Sequence, residues 1–433
     1  VNVNPLPIPT ITGSTSACVG SINRVYSTQP GMTNYQWTVS AGGTITAGGT
    51  ATSNSVTVTW TTVGPQTITV NYRNANGCTA SSPTVKPITV TPLPVPTITG
   101  PTVMCAGSTG NVYTTEAGMS GYVWTVSAGG TITAGGTSNS NTATIRWNTA
   151  GPQTVRVSYT NLDGCTPAMP TVYPVTVNPR PVPTLAGPTS VCVGSAGNVY
   201  TTEAGMNNYT WTIAAGGTIT AGGGASDNSV TITWTTTGAK TVRVNYADAN
   251  GCTAASPTTL NVTSNALPTP AIAGLISACV GSSVTYTTVS GMSNYAWAVS
   301  AGGTITAGGT STDHEVTVTW NTAGPQTVSL NYTNLNGCSA INPSVRNVTV
   351  NPEPTPTFIN PALNGCTGSA GVIYTTQAGM TGYSWSVTGG TITAGGSGTD
   401  NTATVVWNTT GVQTISVNYY NANGCIATTP ATA

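Results

Sequence analysis

The sequence predicts an all-β protein, a tandem array of five two-sheet sandwiches. Three observations predict it: an internal period of 87 residues, apolar residues that alternate with polar ones inside each period, and glycine- and proline-based turn signals between the alternating runs. Cysteines mark the period, since Cys18, Cys105, Cys192, Cys279 and Cys366 stand 87 residues apart. Each is followed 59 or 60 residues later by a second one, at Cys78, Cys165, Cys252, Cys338 and Cys425, two per repeat with none left over. This regularity predicts one disulfide inside each repeat. Closing such a loop stabilises a module by roughly 4 kcal/mol in the chain-entropy account. Bridges in every repeat imply an oxidising, extracytoplasmic compartment.

The repeats run over residues 1–91, 92–178, 179–265, 266–351 and 352–433. Val1 to Asn4 matches Val175 to Asn178, so residues 1–4 read as the end of a preceding repeat, and the fifth repeat is expected to lack its last strand. Each repeat opens in a proline-rich joint: Pro5 to Pro9, Pro92 to Pro96, Pro179 to Pro183, Pro268 to Pro270 and Pro352 to Pro356. Alternating prolines hold the backbone near polyproline II, so the joints should be semi-stiff spacers and the array an extended rod.

Within the first repeat the strands follow in order. Tyr35, Trp37 and Val39 alternate onto one face. Gly-Gly pairs at 42–43 and 48–49 bracket a short strand at Thr44 to Thr46. Val56, Val58 and Trp60 share a face with Thr57 and Thr59 turned outward, and after the Gly64-Pro65 turn Ile68, Val70 and Tyr72 repeat the pattern. Asn76-Gly77 carries the signature of a type I′ hairpin and recurs as Asp163-Gly164, Asn250-Gly251, Asn336-Gly337 and Asn423-Gly424. Pro87 to Val90 supplies the closing strand. About seven short alternating strands per repeat, with no helix longer than a turn, point to a Greek-key sandwich of the immunoglobulin class.

The run Tyr35-Gln36-Trp37, then Val56 to Trp60, then Gly64 to Tyr72 and Asn76-Gly77-Cys78 resembles the PKD-like repeats of giant bacterial cell-surface proteins, and the resemblance covers all five repeats. Such repeats are typical of gliding-motility adhesins and other substrates of the type IX secretion system. The resemblance implies export, surface display and a spacer or adhesin-shaft role.

The composition excludes other classes. Nine acidic and nine basic residues leave no net charge and no basic stripe for nucleic acid, and no apolar run approaches the length of a membrane helix. Catalysis needs a nucleophile with a base, two facing carboxylates or a metal; none of these recurs, so no enzyme and no cofactor is expected. The lone histidine, His314, lies between Asp313 and Glu315, but the other repeats carry no such cluster and no metal site is assigned. Asn-x-Thr sequons at Asn208, Asn261, Asn331, Asn347 and Asn408 are expected by chance in a chain this rich in both residues. Among ten tryptophans, Trp37, Trp124, Trp211, Trp297 and Trp385 lie mid-strand and are assigned to the core. Trp60, Trp147, Trp234, Trp320 and Trp407 end their strands; core is the expected place for them too, and they are the candidates for exposed aromatic contacts if any tryptophan supplies them.

Three functions remain open. The first is a structural stalk that holds a distal tip away from the cell, its partners being neighbouring repeats of one long polypeptide. The second makes the repeats themselves adhesive to glycans or abiotic surfaces through avidity. The third is self-association, lateral or head-to-tail, in which one copy donates Val1 to Asn4 as a strand to the next.

Overall fold

The computed structural model describes residues 1–433 and contains strands and no helix. In the first repeat β1 is Ser16–Cys18, β2 Arg24–Ser27, β3 Thr33–Val39, β4 Gly43–Gly48, β5 Ser55–Trp60, β6 Gly64–Arg73 and β7 Thr84–Thr91. They form a four-stranded sheet in the order β1-β7-β6-β3 and a three-stranded sheet in the order β2-β5-β4. All pairings are antiparallel except β1 with β7, where Ser16, Ala17 and Cys18 run parallel to Thr89, Val90 and Thr91. The inner faces of both sheets close on one core, with Trp60, Val58, Ile68 and Val70 fully buried. Seven strands in two packed sheets are the sandwich that the alternation predicts; the same arrangement returns in the second, third and fourth repeats, and the fifth has two three-stranded sheets.

The chain divides into two compact units. The first comprises Val1–Thr184, Glu203–Thr210 and Asn245–Thr258, and the second Leu185–Thr202, Trp211–Val244 and Thr259–Ala433. The first unit holds the whole of the first two repeats. The second repeat forms its own four-stranded and three-stranded sheets around Trp147, Ile145 and Val157. In the second unit the fourth repeat does the same around Trp320, Val318 and Leu330. The third repeat contributes to both units; its three-stranded sheet of Asn198–Thr201, Ser229–Trp234 and Gly217–Gly222 lies in the second.

Two irregularities are written into the sequence of every repeat. The β3 register shifts between Thr33 and Gln36, where Asn34 sits at φ 54°. The equivalent residues are Gly121, Asn208, Asn294 and Gly382, at φ 52° to 57°, so the position alternates between the two residue types that enter the left-handed region at least cost. The glycine at the start of β4 answers a different demand. A Cβ on Gly43 would stand 2.6 Å from the Trp60 ring, and one on Gly130 or Gly303 2.7 Å from Trp147 or Trp320. The second glycine of the pair thus leaves room for the indole, and the first, at Gly42, Gly129 and Gly302, leaves room for the side chain of Gln66, Gln153 or Gln326.

The Asn76-Gly77 hairpin differs from the expected type I′ turn, which needs a positive φ at both central residues. Only Gly77 has one, at 79°. Gly77 N–H donates to the Asn74 carbonyl and Asn74 N–H to the Cys78 carbonyl, a type I turn closed by a glycine bulge. The residue that organises it is Asn74, whose Oδ1 accepts from the N–H groups of Asn76 and Cys78 at 3.1 and 2.9 Å. Asn161, Asp248, Asn334 and Asn421 do the same in the other repeats.

Candidate functional site: the joint between repeats

The five proline-rich joints have no ladder partners of their own, and side chains of the repeat that follows tie them down. In the first repeat the Thr84 hydroxyl donates to the Pro9 carbonyl at 2.6 Å, and Thr171 to Pro96 and Thr258 to Pro183 repeat the contact. Asn74 Nδ2 reaches the Pro5 carbonyl, as Asn334 reaches Ala266 and Asn421 reaches Pro352. Pro9, Pro96 and Pro183 are buried as a result.

A third tie is a carboxylate or an amide. Gln29 Oε1 accepts from Thr10 N–H in the first repeat. In the second, Glu116 accepts from both the N–H and the hydroxyl of Thr97 and from the Thr115 hydroxyl. Burial works to raise the Glu116 pKa, but these hydrogen bonds outweigh it and hold it down to about 2. Burial first, and then the neighbouring Glu116 charge, push the Tyr159 hydroxyl up to about 12. The one acid within the joints proper, Glu353, accepts from Thr428 N–H and hydroxyl, which lowers its pKa.

The covalent tie is the largest departure from the sequence reading. The bridges are Cys18–Cys165, Cys105–Cys252, Cys192–Cys338 and Cys279–Cys425, each joining residues 146 or 147 apart with Cα atoms 5.5 or 5.6 Å apart. Every bridge therefore runs from the first cysteine of one repeat to the second cysteine of the next, and not within a repeat. Cys78 and Cys366 are unpaired.

The physical reason lies in β7. Cys18 ends β1 beside Thr91, at the far end of β7, while Cys78 sits in the turn that precedes β7. An eight-residue strand separates the two ends by roughly 25 Å, and a disulfide spans Cα atoms no more than about 7 Å apart. The end of β7 is also where the chain leaves for the next repeat. Its first cysteine is thus delivered to the joint, and the asparagine-organised turn of the following repeat delivers the second.

Both rows of tryptophans lie mainly in the core, the strand-ending row the more deeply. Trp60, Trp147, Trp234 and Trp320, the candidates for exposure, are fully buried. Their indole N–H groups donate to Tyr26, Tyr113, Tyr200 and Tyr286 at 3.0 to 3.3 Å, with the rings edge-to-face in the pairs of the first, second and fourth repeats. Being at the end of a strand did not put them at the edge of the sandwich, because the flat β4 glycine receives the ring. Trp407 alone of this row is partly exposed. Of the mid-strand row, Trp37, Trp124 and Trp297 are buried, while Trp211 and Trp385 are half-buried. All five donate to a loop carbonyl, at Ser53, Ser140, Asp227, Asp313 and Asp400.

The carboxylate beside His314 is used locally. Asp313 Oδ2 accepts from the N–H and hydroxyl of Thr310 at 3.0 and 2.5 Å, and those bonds lower its pKa. Asp227 and Asp400 close the same turn on Gly224 and Ser397. No group of three or more histidine, cysteine, aspartate or glutamate side chains stands together, and no helix is long and apolar enough to cross a membrane.

Tandem immunoglobulin-like sandwiches, joined through short proline joints that are each crossed by a disulfide, define the chain as a modular array. It belongs to the PKD-like domain family, which matches residues 4–86, 91–175, 178–262, 265–348 and 352–433. No curated protein sequence matches it. Among solved structures it is similar to the human desmocollin-1 ectodomain (8% identity, 99% of this chain and 98% of that one, TM-score 0.23). It is also similar to invasin, a bacterial integrin-binding protein (13%, 79% of each chain, TM-score 0.28), and to a four-domain ICAM-5 ectodomain fragment (14%, 79% and 99%, TM-score 0.29).

Proposed function

We propose that this chain is a shaft segment of an extracellular fibre or adhesin, a spacer that carries tension and performs no catalysis of its own. The observation that carries the reading is the placement of the bridges: each of the four joints between successive repeats is crossed by one. Under tension a joint is where two repeats would part, and a second covalent connection there limits both the parting and the length of chain released when a repeat unfolds. Four disulfides call for an oxidising compartment. The resemblance to PKD-like repeats supports a reading in which the chain is displayed on a bacterial surface and exported by the type IX route, as gliding-motility adhesins are. The adhesive alternative loses its strand-ending aromatic platforms in the first four repeats, since those rings are sealed in the core.

The test is single-molecule extension of the full chain held at its two ends, oxidised and then reduced. Reduction should let each 87-residue repeat release close to its full contour, roughly 300 Å at about 3.5 Å per residue, where the oxidised chain releases far less. Equal gains per unfolding event in the two states would overturn the reading.

A further inference from the structure

The second, third and fourth repeats are each bridged at both joints, so their covalent context is the same. The third departs from the other two where its last strand leaves for the joint. That strand is Thr258–Asn265, in which Ser264 pairs with Val191 and Asn265 with Cys192. Ser264 occupies the place of Val90, Val177 and Val350, all sealed in their cores. It is as sealed as they are, at 2% exposure, yet its hydroxyl has no hydrogen-bond partner. A buried hydroxyl left unbonded costs stability, and a serine fills less of the site than a valine does.

A second set of exchanged residues stands at the same end of the sandwich, since in the second repeat Val177 pairs with Gly151, two residues from Gln153. In the second and fourth repeats the hydroxyl of Ser127 or Ser300 donates to Gln153 or Gln326 and accepts from the N–H of Thr154 or Thr327. The glutamine amide in turn donates to the carbonyl of Thr149 or Thr322. The third repeat carries Ala214 and Lys240 at those positions. Lys240 is 9% exposed, and its Nζ is held by two neutral oxygens, the Ala215 carbonyl at 3.1 Å and the Thr236 hydroxyl at 2.7 Å. Taking a lysine nitrogen out of water with no carboxylate beside it is costly. The turn changes too, for Gly216 lies at φ 80° whereas Gly129 and Gly302 have no positive φ. Ala239 stands where the second and fourth repeats have Pro152 and Pro325, which leaves the unfolded chain freer. Trp211 is half-buried where Trp124 and Trp297 are buried.

We infer that the third repeat is a yielding module: of the three repeats bridged at both joints it opens first, and the two bridges that reach it cap the length its opening releases. Ser264, the Ala214 and Lys240 pair and Ala239 each lower its stability relative to its neighbours. The cap follows from where the bridges land. Cys252 is fastened to Cys105 of the second repeat, and 13 residues lead from it to Asn265; Cys192 is fastened to Cys338 of the fourth, and 13 residues lead to it from Pro179. With the third sandwich unfolded, the shortest covalent path between its folded neighbours is therefore about 13 residues, or roughly 45 Å, where the whole repeat would release roughly 300 Å. The array thus holds a place that gives a little and stays fastened. That this yield serves a chain under tension rests on the shaft reading; that this repeat opens first does not.

Hydrogen exchange of the full oxidised chain, read by mass spectrometry, tests the order of opening without load. Amides of Ser229–Trp234 in the third repeat should exchange about tenfold faster than those of Thr142–Trp147 in the second and Glu315–Trp320 in the fourth. The triple variant Ala214→Ser, Lys240→Gln, Ser264→Val installs the neighbours' residues and should slow the third repeat about tenfold while leaving the others unchanged. In the reverse direction Val177→Ser should speed exchange of Thr142–Trp147 about tenfold. Equal rates in the three repeats, or a second or fourth repeat that exchanges first, overturn the proposal. A third repeat that exchanges first but is not slowed by the triple variant overturns its cause in these residues. No force is applied, so the result is independent of the shaft reading, which is tested by extension of a single chain.

Discussion

The second and fifth repeats share their turns, their tryptophans and their period, yet they finish differently. In the second, Trp147 is fully buried and its indole N–H is held by Tyr113. In the fifth, Trp407 still meets Tyr374 edge-to-face at 6.3 Å, but it is partly exposed beside a cleft that Leu363, Gly365, Cys366 and Gln413 also line. The difference is one pair of elements, the parallel strand at Val103–Cys105 and the end of the strand at Thr171–Asn178, neither of which has a formed counterpart in the fifth repeat. In the second repeat the first and last strands close the core together, Val177 pairing with Met104 and both side chains being buried. The last strand ends at the joint, so sealing the core and positioning the next repeat are the same event.

The comparison can be broken most sharply at the tryptophans. Burying an indole of roughly 200 Å² contributes on the order of 5 kcal/mol. Trp147→Ala should cost the second repeat about 4 kcal/mol, and Trp407→Ala should cost the fifth less than half of that. Hydrogen exchange read by mass spectrometry repeat by repeat in the intact chain checks both; equal losses would mean the cleft is not a real opening.

A smaller effect is expected where the ring meets backbone. Gly130→Ala puts a methyl group 2.7 Å from the Trp147 ring and should cost about 2 kcal/mol by the same measurement. Gly390→Ala meets Val405 first, at 2.9 Å, and then Trp407 at 3.0 Å, in a repeat with room to yield, so its cost should be smaller.

The smallest effect separates the repeats by pH. Glu116 has its pKa lowered from an ordinary glutamate value to about 2 in the folded second repeat, so its contribution is present above the ordinary value and is lost as pH falls toward 2. The fifth repeat uses Gln377, whose Oε1 accepts from Thr357 N–H at the same place and does not titrate. Exchange protection at the start of the second repeat should decline on acidification before that of Thr357 does, and Glu116→Gln should remove the difference.

The sandwich was legible because a strand's two faces are written in alternation. The assignments of Val56, Val58, Ile68 and Val70 to the core needed nothing beyond period two. The disulfide partners were not legible: the spacing of Cys18 and Cys78 records how much chain lies between them and not which end of β7 each occupies. How Trp60 is received in the core was not legible for a related reason. Its place at the end of a strand is visible in sequence, whereas the flat glycine surface that receives its ring comes from β4, across the sheet. Asn74 was overlooked because the Asn-Gly pair two residues later carries the stronger statistical signal, although Asn74 organises the turn and presents Cys78 and its counterparts to the joint.

The bridges also overlap in sequence, since Cys105 falls between Cys18 and Cys165, Cys192 between Cys105 and Cys252, and Cys279 between Cys192 and Cys338. Every peptide bond from Cys18 to Cys425 is consequently enclosed by at least one covalent ring, and those from Cys105 to Cys165, Cys192 to Cys252 and Cys279 to Cys338 by two. A protease that nicks an exposed proline joint leaves the pieces fastened together. Two nicks within one ring at most excise the stretch between them and leave its flanks joined through the disulfide, so parting the repeats at a joint waits for a reductant.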